Sequence, residues 1–249
     1  MPPPKKTKYR ADELIAKQQD IPVEEARKLI LAGLVRINAD HVIKNSAQMI
    51  EEGSTLILDE SMQYVSRGAF KLKPSLEKHL PNLTGMIAAD IGASTGGFTD
   101  LMLQSGVIKV YAVDVGYGQM HYKLRQDSRV INIERVNARS IDKKVVPEKV
   151  DVVTMDLSFI SVLKVLSAVN TILKDGGWAF ILVKPQFESK SSEVGKGGVV
   201  RDKEVIDRCV NTVKDFVTNE LKWKVLDSMP SPILGPKGNQ EFILSFRKN

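Results

Sequence analysis

The sequence AADIGASTGGFTD, residues 88–100, is typical of a sharp turn between a buried strand and a helix. An apolar run ends at Asp90, small residues follow, and a helical pattern starts near Phe98. Glycines in such a turn let the backbone approach a ligand closely and adopt positive φ, while the N terminus of the helix points at that ligand. The stretch therefore predicts a ligand-binding turn.

The spacing of the glycines excludes two familiar nucleotide motifs. It does not form G-x-G-x-x-G, and the residues FT stand where a Walker loop needs Lys followed by Ser or Thr. A second acid, Asp114, closes the next predicted strand, where α/β nucleotide sites place a carboxylate against ribose hydroxyls. The alternative is a purely structural turn in which Asp90 caps the helix.

Outward from this turn, short apolar runs alternate with helical stretches. The predicted strands are 86–90, 109–115, 130–134, 149–156 and 177–184, and the predicted helices are 98–104, 117–126, 161–173 and 202–220. This alternation predicts an α/β fold with a doubly wound, Rossmann-like parallel sheet. Two more strand-like runs, 223–228 and 241–246, have no crossover helix between them, so we expect an antiparallel pair at one side of the sheet.

The first sixty residues have a different pattern. Two short helices, 11–17 and 23–32, are followed by Gly33 as a stop signal and by the alternating runs LVRIN, HVIKN and 56–58. We therefore predict a small α+β domain at 1–60, a linker at 61–66 and the α/β domain at 67–249.

Composition excludes several classes of protein. With 249 residues, 43% apolar and 27% charged, the chain is neither disordered nor too short for a core. A single cysteine, Cys209, excludes an intrachain disulfide and a multi-cysteine zinc site, and scattered histidines suggest no metal site. The charged start MPPPKKTKYR and the absence of a long apolar run predict a cytoplasmic protein without a membrane partner. A net charge of +6 is compatible with a nucleic-acid partner.

Five motifs resemble those of the TlyA proteins, a family of rRNA ribose 2′-O-methyltransferases that is often labelled haemolysin-like. They are YVSRGAFKL (64–72), DIGASTGGFTD (90–100), VTMDLSFIS (153–161), LVKPQFE (182–188) and GNQEF (238–242). The resemblance implies a class I methyltransferase domain of the FtsJ/RrmJ type, S-adenosylmethionine as the cofactor, and cytidine in ribosomal RNA or a ribosomal subunit as the substrate. Oligomeric state stays open.

The N-terminal segment resembles the alpha-L RNA-binding module through ARKLILAGLVRIN (26–38), although Ala39-Asp40 replaces the glycine usual in the next turn. The resemblance and the charge pattern imply RNA contacts from basic residues in this module and around the methyl-transfer site. We predict RNA contacts at Arg10, Arg27, Lys28, Arg36, Arg67, Phe187, Lys190, Lys196 and Arg201. Phe187 is expected to stack on an unstacked base.

Methylation of a ribose hydroxyl needs a base, and a lysine can act as one only as the neutral amine. Lysines together with carboxylates that orient them suit this chemistry. The resemblance assigns the family's Lys-Asp-Lys-Glu tetrad to Lys71, Asp156, Lys184 and Glu241. Lys184 is the predicted base. Lys71 is expected to favour the neutral form of Lys184 or to hold the ribose, and Asp156 and Glu241 are expected to orient Lys184.

The cofactor is predicted to contact the glycine-rich turn and the ends of the neighbouring strands. The predicted contacts are Asp90, Gly92, Ala93, Ser94, Thr95, Gly96, Gly97, Phe98, Asp114, Asn137 and Asp156. Core packing of Phe98 and an exposed loop at Asn137 are the alternatives.

Three other functions remain as alternatives. A non-catalytic ribosome-assembly factor is disfavoured by the intact tetrad, and a membrane-active haemolysin would need an amphipathic or spanning segment that the sequence does not show. Base methylation would more naturally carry an Asn-Pro-Pro-Tyr-like motif or a cysteine nucleophile where this chain has DLSF at 156–159.

Overall fold

The computed structural model describes residues 7–31, 35–37, 41–58, 63–235 and 237–249, and at Lys28, His41 and Leu58 only the backbone. The chain divides into two compact units between Gln63 and Tyr64. This boundary lies within the stretch 61–66 predicted as a linker, of which residues 61 and 62 are outside the described residues.

The first unit contains two short helices and short strands. Its elements are β1 (Lys8–Arg10), α1 (Ala11–Gln19), α2 (Val23–Leu31), β2 (Val35–Ile37), β3 (His41–Val42), β4 (Met49–Glu51) and β5 (Leu56–Leu58). β1 pairs with β4, and a separate three-stranded sheet has the order β3-β2-β5. The predicted helix end at Ala32, the stop at Gly33 and the turn at Ala39-Asp40 lie outside the described residues.

A fully buried carboxylate, Asp12, joins the two helices of this unit. It lies 2.9 Å from Arg10 Nη2 and 2.8 Å from Arg27 Nε. The hydrogen bond from Arg10, with that from Arg27, holds the pKa of Asp12 well below its usual range. Two of the arginines predicted to bind RNA therefore form internal ion pairs, although both guanidinium groups remain partly exposed.

The second unit alternates strands with helices. Its elements are α3 (Ala69–His79), β6 (Ile87–Ile91), α4 (Gly97–Gln104), β7 (Lys109–Val113), α5 (Tyr122–Arg125), β8 (Val130–Ile133), β9 (Val150–Met155), α6 (Leu163–Ile172), β10 (Leu173–Val183), α7 (Pro185–Glu188), α8 (Lys203–Asn219), β11 (Lys224–Pro230) and β12 (Phe242–Arg247).

These strands form one seven-stranded sheet with the order β11-β12-β10-β9-β6-β7-β8. The pairs among β6, β7, β8, β9 and β10 are parallel, whereas β12 runs antiparallel to both β10 and β11. The predicted doubly wound α/β fold is confirmed, as is the antiparallel final pair. The central strand β10 is apolar from Ala179 to Val183 because both of its faces are covered: Ile181 and Val183 join one core, while Phe180 and Leu182 join the other.

Three helices of this unit differ from the prediction, and one of them is α7, a single turn that was not predicted. The predicted helix 117–126 is reduced to α5, because the preceding segment is a loop in which Gly118 has φ of 69° and the Gly116 N–H binds the Asp114 carboxylate. α3 was not predicted as a helix. It packs Leu72 and Leu76 into the core, and Ser75 Oγ lies 2.6 Å from Ser245 Oγ of β12.

The carboxylate of Asp90 joins three elements beneath the glycine-rich turn. It accepts hydrogen bonds from Thr99 Oγ1 of α4 at 2.7 Å and from Thr154 Oγ1 of β9 at 2.9 Å. Burial outweighs these bonds and raises the pKa of Asp90 to about 6. Asp90 therefore connects the turn to the sheet, and its charged form lowers the stability of the folded state.

Among the described residues, no helix is long and apolar enough to cross a membrane, and no group of three or more His, Cys, Asp or Glu side chains is arranged to hold a metal ion.

The raised pKa of Asp90 makes stability depend on pH. Between pH 4 and pH 6 the unfolded chain has lost this proton while the folded chain keeps it, so the folded state becomes less stable as pH rises. Relative to Asp90→Asn, which stays neutral, the wild type should lose roughly 2–3 kcal/mol between pH 4 and pH 7. Urea unfolding of both proteins at the two pH values measures this difference, and parallel pH profiles would contradict it.

Candidate active site

The ends of the parallel strands bring chemically active side chains to one edge of the sheet. Asp156 directly follows β9 and Lys184 directly follows β10, and these neighbouring strands are parallel. Glu241 directly precedes β12, which is antiparallel to β10 with Val183 opposite Phe242. Because a reversed strand begins where its neighbours end, Glu241 reaches the same edge.

Lys71 reaches this edge from the first turn of α3. The start of α3 packs closely on the start of α4, since a Cβ at Gly97 would lie only 3.0 Å from the Ala69 nitrogen. The Val65 N–H also donates to Asp100 Oδ2 of α4 at 2.8 Å. These contacts fix the N-terminal end of α3 beside the glycine-rich turn.

The four predicted catalytic residues form two ion pairs. Lys184 Nζ lies 2.5 Å from Asp156 Oδ1 and donates a hydrogen bond to Ser158 Oγ at 3.0 Å. Lys71 Nζ lies 2.7 Å from Glu241 Oε2. The exposed fraction of the side chain is only 8% for Lys184 and 10% for Lys71, and Glu241 is fully buried.

Glu241 presents a second, unused oxygen. Its Oε1 is buried and has no hydrogen-bond partner among the described residues. Gly235 covers this oxygen, and a Cβ at Gly235 would approach it to 2.4 Å. Only a glycine therefore fits at position 235 without displacing the carboxylate.

All four residues line one cavity of about 520 Å³. The predicted site residues that share this cavity are Arg67, Lys71, Asp90, Gly92, Ala93, Ser94, Thr95, Gly97, Phe98, Asp156, Lys184, Phe187 and Glu241. The structure thus brings together residues from near the start and near the end of the sequence of the α/β unit.

A second cavity of about 410 Å³ adjoins the first and shares Gly92, Ser94 and Asp156 with it. Asp114 and Asn137, both predicted to contact the cofactor, line this second cavity. The Asp114 carboxylate accepts hydrogen bonds from the backbone N–H groups of Ser94 at 2.8 Å and Gly116 at 2.6 Å. It therefore holds two loops in place at the mouth of the cavity.

The glycines of the turn have distinct structural roles. Gly92 has φ of 83°, and a Cβ there would lie 2.3 Å from the Asp156 carbonyl oxygen, so the turn can approach Asp156 only as glycine. Gly96 lines neither cavity. It has φ of 97°, and a Cβ there would collide with Leu124.

The residues predicted to contact RNA are dispersed. Arg67 and Phe187 line the larger cavity, whereas Lys190, Lys196 and Arg201 are exposed on the loop that follows α7. Arg10, Arg27 and Arg36 belong to the first unit, and the side chain of Lys28 is outside the described structure.

The sequence analysis missed Phe159, which lines both cavities. Its side chain is 91% exposed and its φ is 65°, a conformation that is costly for a bulky residue. Its ring centroid lies 5.3 Å from that of Phe187. Two aromatic rings therefore border the site with one of them almost fully in water. The motif DLSF contains this residue, but its backbone conformation is not readable from sequence.

Glu188 was also missed, although it joins the segment after Lys184 to the loop after Asp156. Its Oε2 accepts a hydrogen bond from Ser161 Oγ at 2.5 Å, and its Oε1 accepts one from the Val162 N–H at 2.8 Å. Burial raises the pKa of this carboxyl. The bonds connect the turn after Lys184 to the loop that carries Asp156, Ser158 and Phe159.

Two substitutions of Glu188 distinguish the effect of its hydrogen bonds from the effect of its negative charge. Glu188→Ala removes both bonds, and exchange of the Val162 amide hydrogen should accelerate on the order of tenfold. Glu188→Gln keeps one oxygen for the Val162 N–H and offers its NH₂ group to the Ser161 hydroxyl, so exchange should stay near the wild-type rate. Hydrogen exchange of peptides covering 156–163 measures both, with Glu193→Ala as a control because Glu193 pairs with Arg208 elsewhere. Unchanged exchange in Glu188→Ala would show that the bonds do not hold the loop.

Comparison with known proteins identifies the family. Residues 64–248 match the model of the FtsJ-like methyltransferase family. The chain is 40% identical over 225 residues to "16S/23S rRNA (cytidine-2′-O)-methyltransferase TlyA" of Mycobacterium tuberculosis, covering 90% of this chain and 84% of that protein. It is 37% identical over 223 residues to "Hemolysin A" of Brachyspira hyodysenteriae, covering 89% of this chain and 92% of that protein.

A solved structure of a hemolysin-like protein from Streptococcus thermophilus has a similar fold, with a TM-score of 0.74 and 38% identity over 98% of this chain and 90% of that one. The family match covers the whole α/β unit, including the cavity with the two ion pairs, and the TlyA match extends across most of the chain. The chain therefore belongs to the FtsJ-like methyltransferase family and, within it, to the TlyA proteins.

Proposed function

We propose that this protein uses S-adenosylmethionine to methylate the 2′-hydroxyl of a ribose, most specifically that of a cytidine, in ribosomal RNA. The names of relatives that cover most of the chain support the substrate. The observation that carries the proposal is the pairing of two buried lysines with two carboxylates in a single cavity beside a glycine-rich turn.

The residues present fit the proposed cofactor. Residues 92–95 of the turn line the larger cavity, and the turn packs against Asp156 with no side chain at Gly92, so a ligand in the cavity can approach the backbone of the turn. Asp114 and Asn137 in the smaller cavity offer polar groups for a nucleoside, and the adjoining cavity holds the lysines. When bound, S-adenosylmethionine supplies an electrophilic methyl group on a sulfonium centre.

The chain's own residues divide the remaining work. Lys184 Nζ, as the neutral amine, accepts the proton of the ribose hydroxyl, while Asp156 and Ser158 fix the position of this nitrogen. Lys71, held by Glu241, remains a cation and binds the ribose oxygens. The strand ends and α3 keep the side chains of Lys184 and Lys71 mostly out of water, which limits competition from water at these two amines.

The aromatic pair at the rim supports a nucleic-acid substrate. Enzymes that act on a nucleotide take it out of the stack, and aromatic side chains then receive the exposed base. Phe159 and Phe187 border the cavity that contains Lys184. A base stacked on Phe159 would place its ribose close to the lysine.

The first test removes the proposed base. Lys184→Met keeps the length of the side chain but has no proton acceptor, so methylation of rRNA should fall by on the order of a thousandfold or more. Transfer of tritiated methyl groups to rRNA from cells lacking the protein measures the rate, and calorimetry with S-adenosylmethionine together with circular dichroism checks the fold. Lys149→Met, an exposed lysine before β9 at the opposite edge, should retain the full rate.

A Lys184→Met protein with more than a tenth of the wild-type rate would exclude Lys184 as the base. A wild type that binds rRNA but transfers no methyl group would instead favour a non-catalytic assembly factor.

The second test concerns stacking. Because Phe159 is almost fully exposed, Phe159→Ala should leave thermal stability unchanged while weakening RNA binding by about 1–3 kcal/mol, or roughly 5- to 150-fold. Phe159→Trp should retain binding, since indole also stacks. Titration of labelled rRNA fragments measures affinity, and Ile108→Ala, an exposed apolar residue at the opposite edge, is the control. Equal affinity of Phe159→Ala and the wild type would remove Phe159 from the RNA site.

A further inference from the structure

A third depression in the α/β unit lies on the other side of the aromatic pair. It is a groove of about 660 Å³. It shares Phe159, Gln186 and Phe187 with the 520 Å³ cavity that contains the two lysines, which is called the catalytic cavity below. The two aromatic rings therefore form the boundary between the catalytic cavity and the groove. None of the four residues that form the two ion pairs of the catalytic cavity lines the groove.

The charge lining this groove is positive. Arg139 follows the third parallel strand and Lys164 lies in the first turn of α6, and the turn 138–140 packs against α6. Both side chains are exposed, and neither has an ion-pair or hydrogen-bond partner among the described residues.

The nearby carboxylates are already engaged. Glu188 is bonded to Ser161 and Val162, Glu193 pairs with Arg208, and no Asp or Glu lines the groove. Two uncompensated cations on one groove attract an anion, and a phosphodiester is the anion that a nucleic-acid substrate carries next to every nucleoside.

Two further polar atoms at the groove have no partner. Gln186 Oε1 and Ser189 Oγ are buried, and neither forms a hydrogen bond within the described part of the chain. Both residues line the groove. Buried polar groups in native proteins are nearly always paired, so these two atoms need a hydrogen-bond partner such as an ordered water; a phosphodiester cannot serve Gln186 Oε1, because the amide oxygen and the phosphate oxygens are all acceptors.

We propose that this groove is the subsite for the nucleotide next to the methylated one, with its phosphodiester held between Arg139 and Lys164. The inference rests on the proposed function and extends it. With the target base on Phe159, the RNA backbone would pass the aromatic pair, and the adjacent phosphate would enter the groove. Such phosphate contacts fix the register of the RNA on the protein without reading a base themselves.

The test compares two double variants of the full chain. Arg139→Ala/Lys164→Ala removes both cations of the groove. Lys149→Ala/Lys224→Ala removes the same charge from two exposed lysines at the opposite edge of the sheet, one directly before β9 and one at the first residue of β11. Both proteins are assayed for methyl transfer to rRNA from cells lacking the protein, at several potassium chloride concentrations, and for binding of S-adenosylmethionine by calorimetry.

For the groove variant, we expect KM for rRNA to rise on the order of tenfold, while kcat changes less than about twofold because neither residue contacts the reacting atoms. The slope of log affinity for rRNA against log salt should become shallower by about 0.7–0.9, the value for one lost phosphate contact. The control variant should match the wild type.

Arg139 also lines the smaller cavity, so the anion could instead be the carboxylate of the cofactor. In the proposed arrangement the affinity for S-adenosylmethionine stays unchanged. A loss of cofactor affinity with unchanged KM for rRNA overturns the proposal, as does a groove variant with the same KM and salt slope as the control. In either case the wild type still methylates rRNA, whereas failure of the proposed function would abolish wild-type transfer itself.

Phosphate-ethylation interference locates the contact. Ethylated rRNA is partitioned into protein-bound and free fractions, and ethylation beside the methylated nucleotide should exclude RNA from the wild-type complex. The same ethylation should have no effect on the groove variant, whose contact is already gone. Interference that persists in the groove variant would place that phosphate elsewhere.

Discussion

The candidate site depends on holding two lysine ammonium groups largely out of water, each beside a carboxylate. Removing an ion from water costs several kcal/mol, which the partner recovers only at close range. Lys184 therefore depends on Asp156 and Lys71 on Glu241. The Lys184–Asp156 pair requires β9 and β10 to be paired, and the Lys71–Glu241 pair requires α3 to be packed beside the start of β12. The candidate site therefore forms only as the α/β unit folds.

The reversed strand β12 makes this assembly possible. Parallel strands alone place Asp156 and Lys184 at the carboxyl edge, but the partner of Lys71 comes from residue 241, 170 residues later. Inserting β12 antiparallel between β10 and β11 turns the start of that strand toward the same edge. The contact between Ser75 and Ser245 then ties α3 to β12.

The sequence predicted those features that are encoded locally. The apolar strands, the glycine-rich turn and the antiparallel final pair were visible as runs and spacing, and resemblance supplied the four tetrad positions that the structure brings into one cavity. The short α5, the positive φ of Phe159 and the bonds of Glu188 were not visible. Each depends on contacts between segments distant in sequence, such as the Gly118 N–H bound to Glu134 or the Val162 N–H bound to Glu188.

Polar side chains that are bonded within the protein can be distinguished from those that remain available to a ligand. Asp90 and Glu188 have oxygens already bonded to hydroxyls or backbone N–H groups, so their main role is to hold neighbouring segments together. Arg139 and Lys164 have no such bonds within the described residues, and both lie on a groove. Both side chains are exposed, so their charges are free to meet an anion that enters the groove. The same reasoning gives Asp12 a role in the first unit as the carboxylate that holds two arginines in fixed directions.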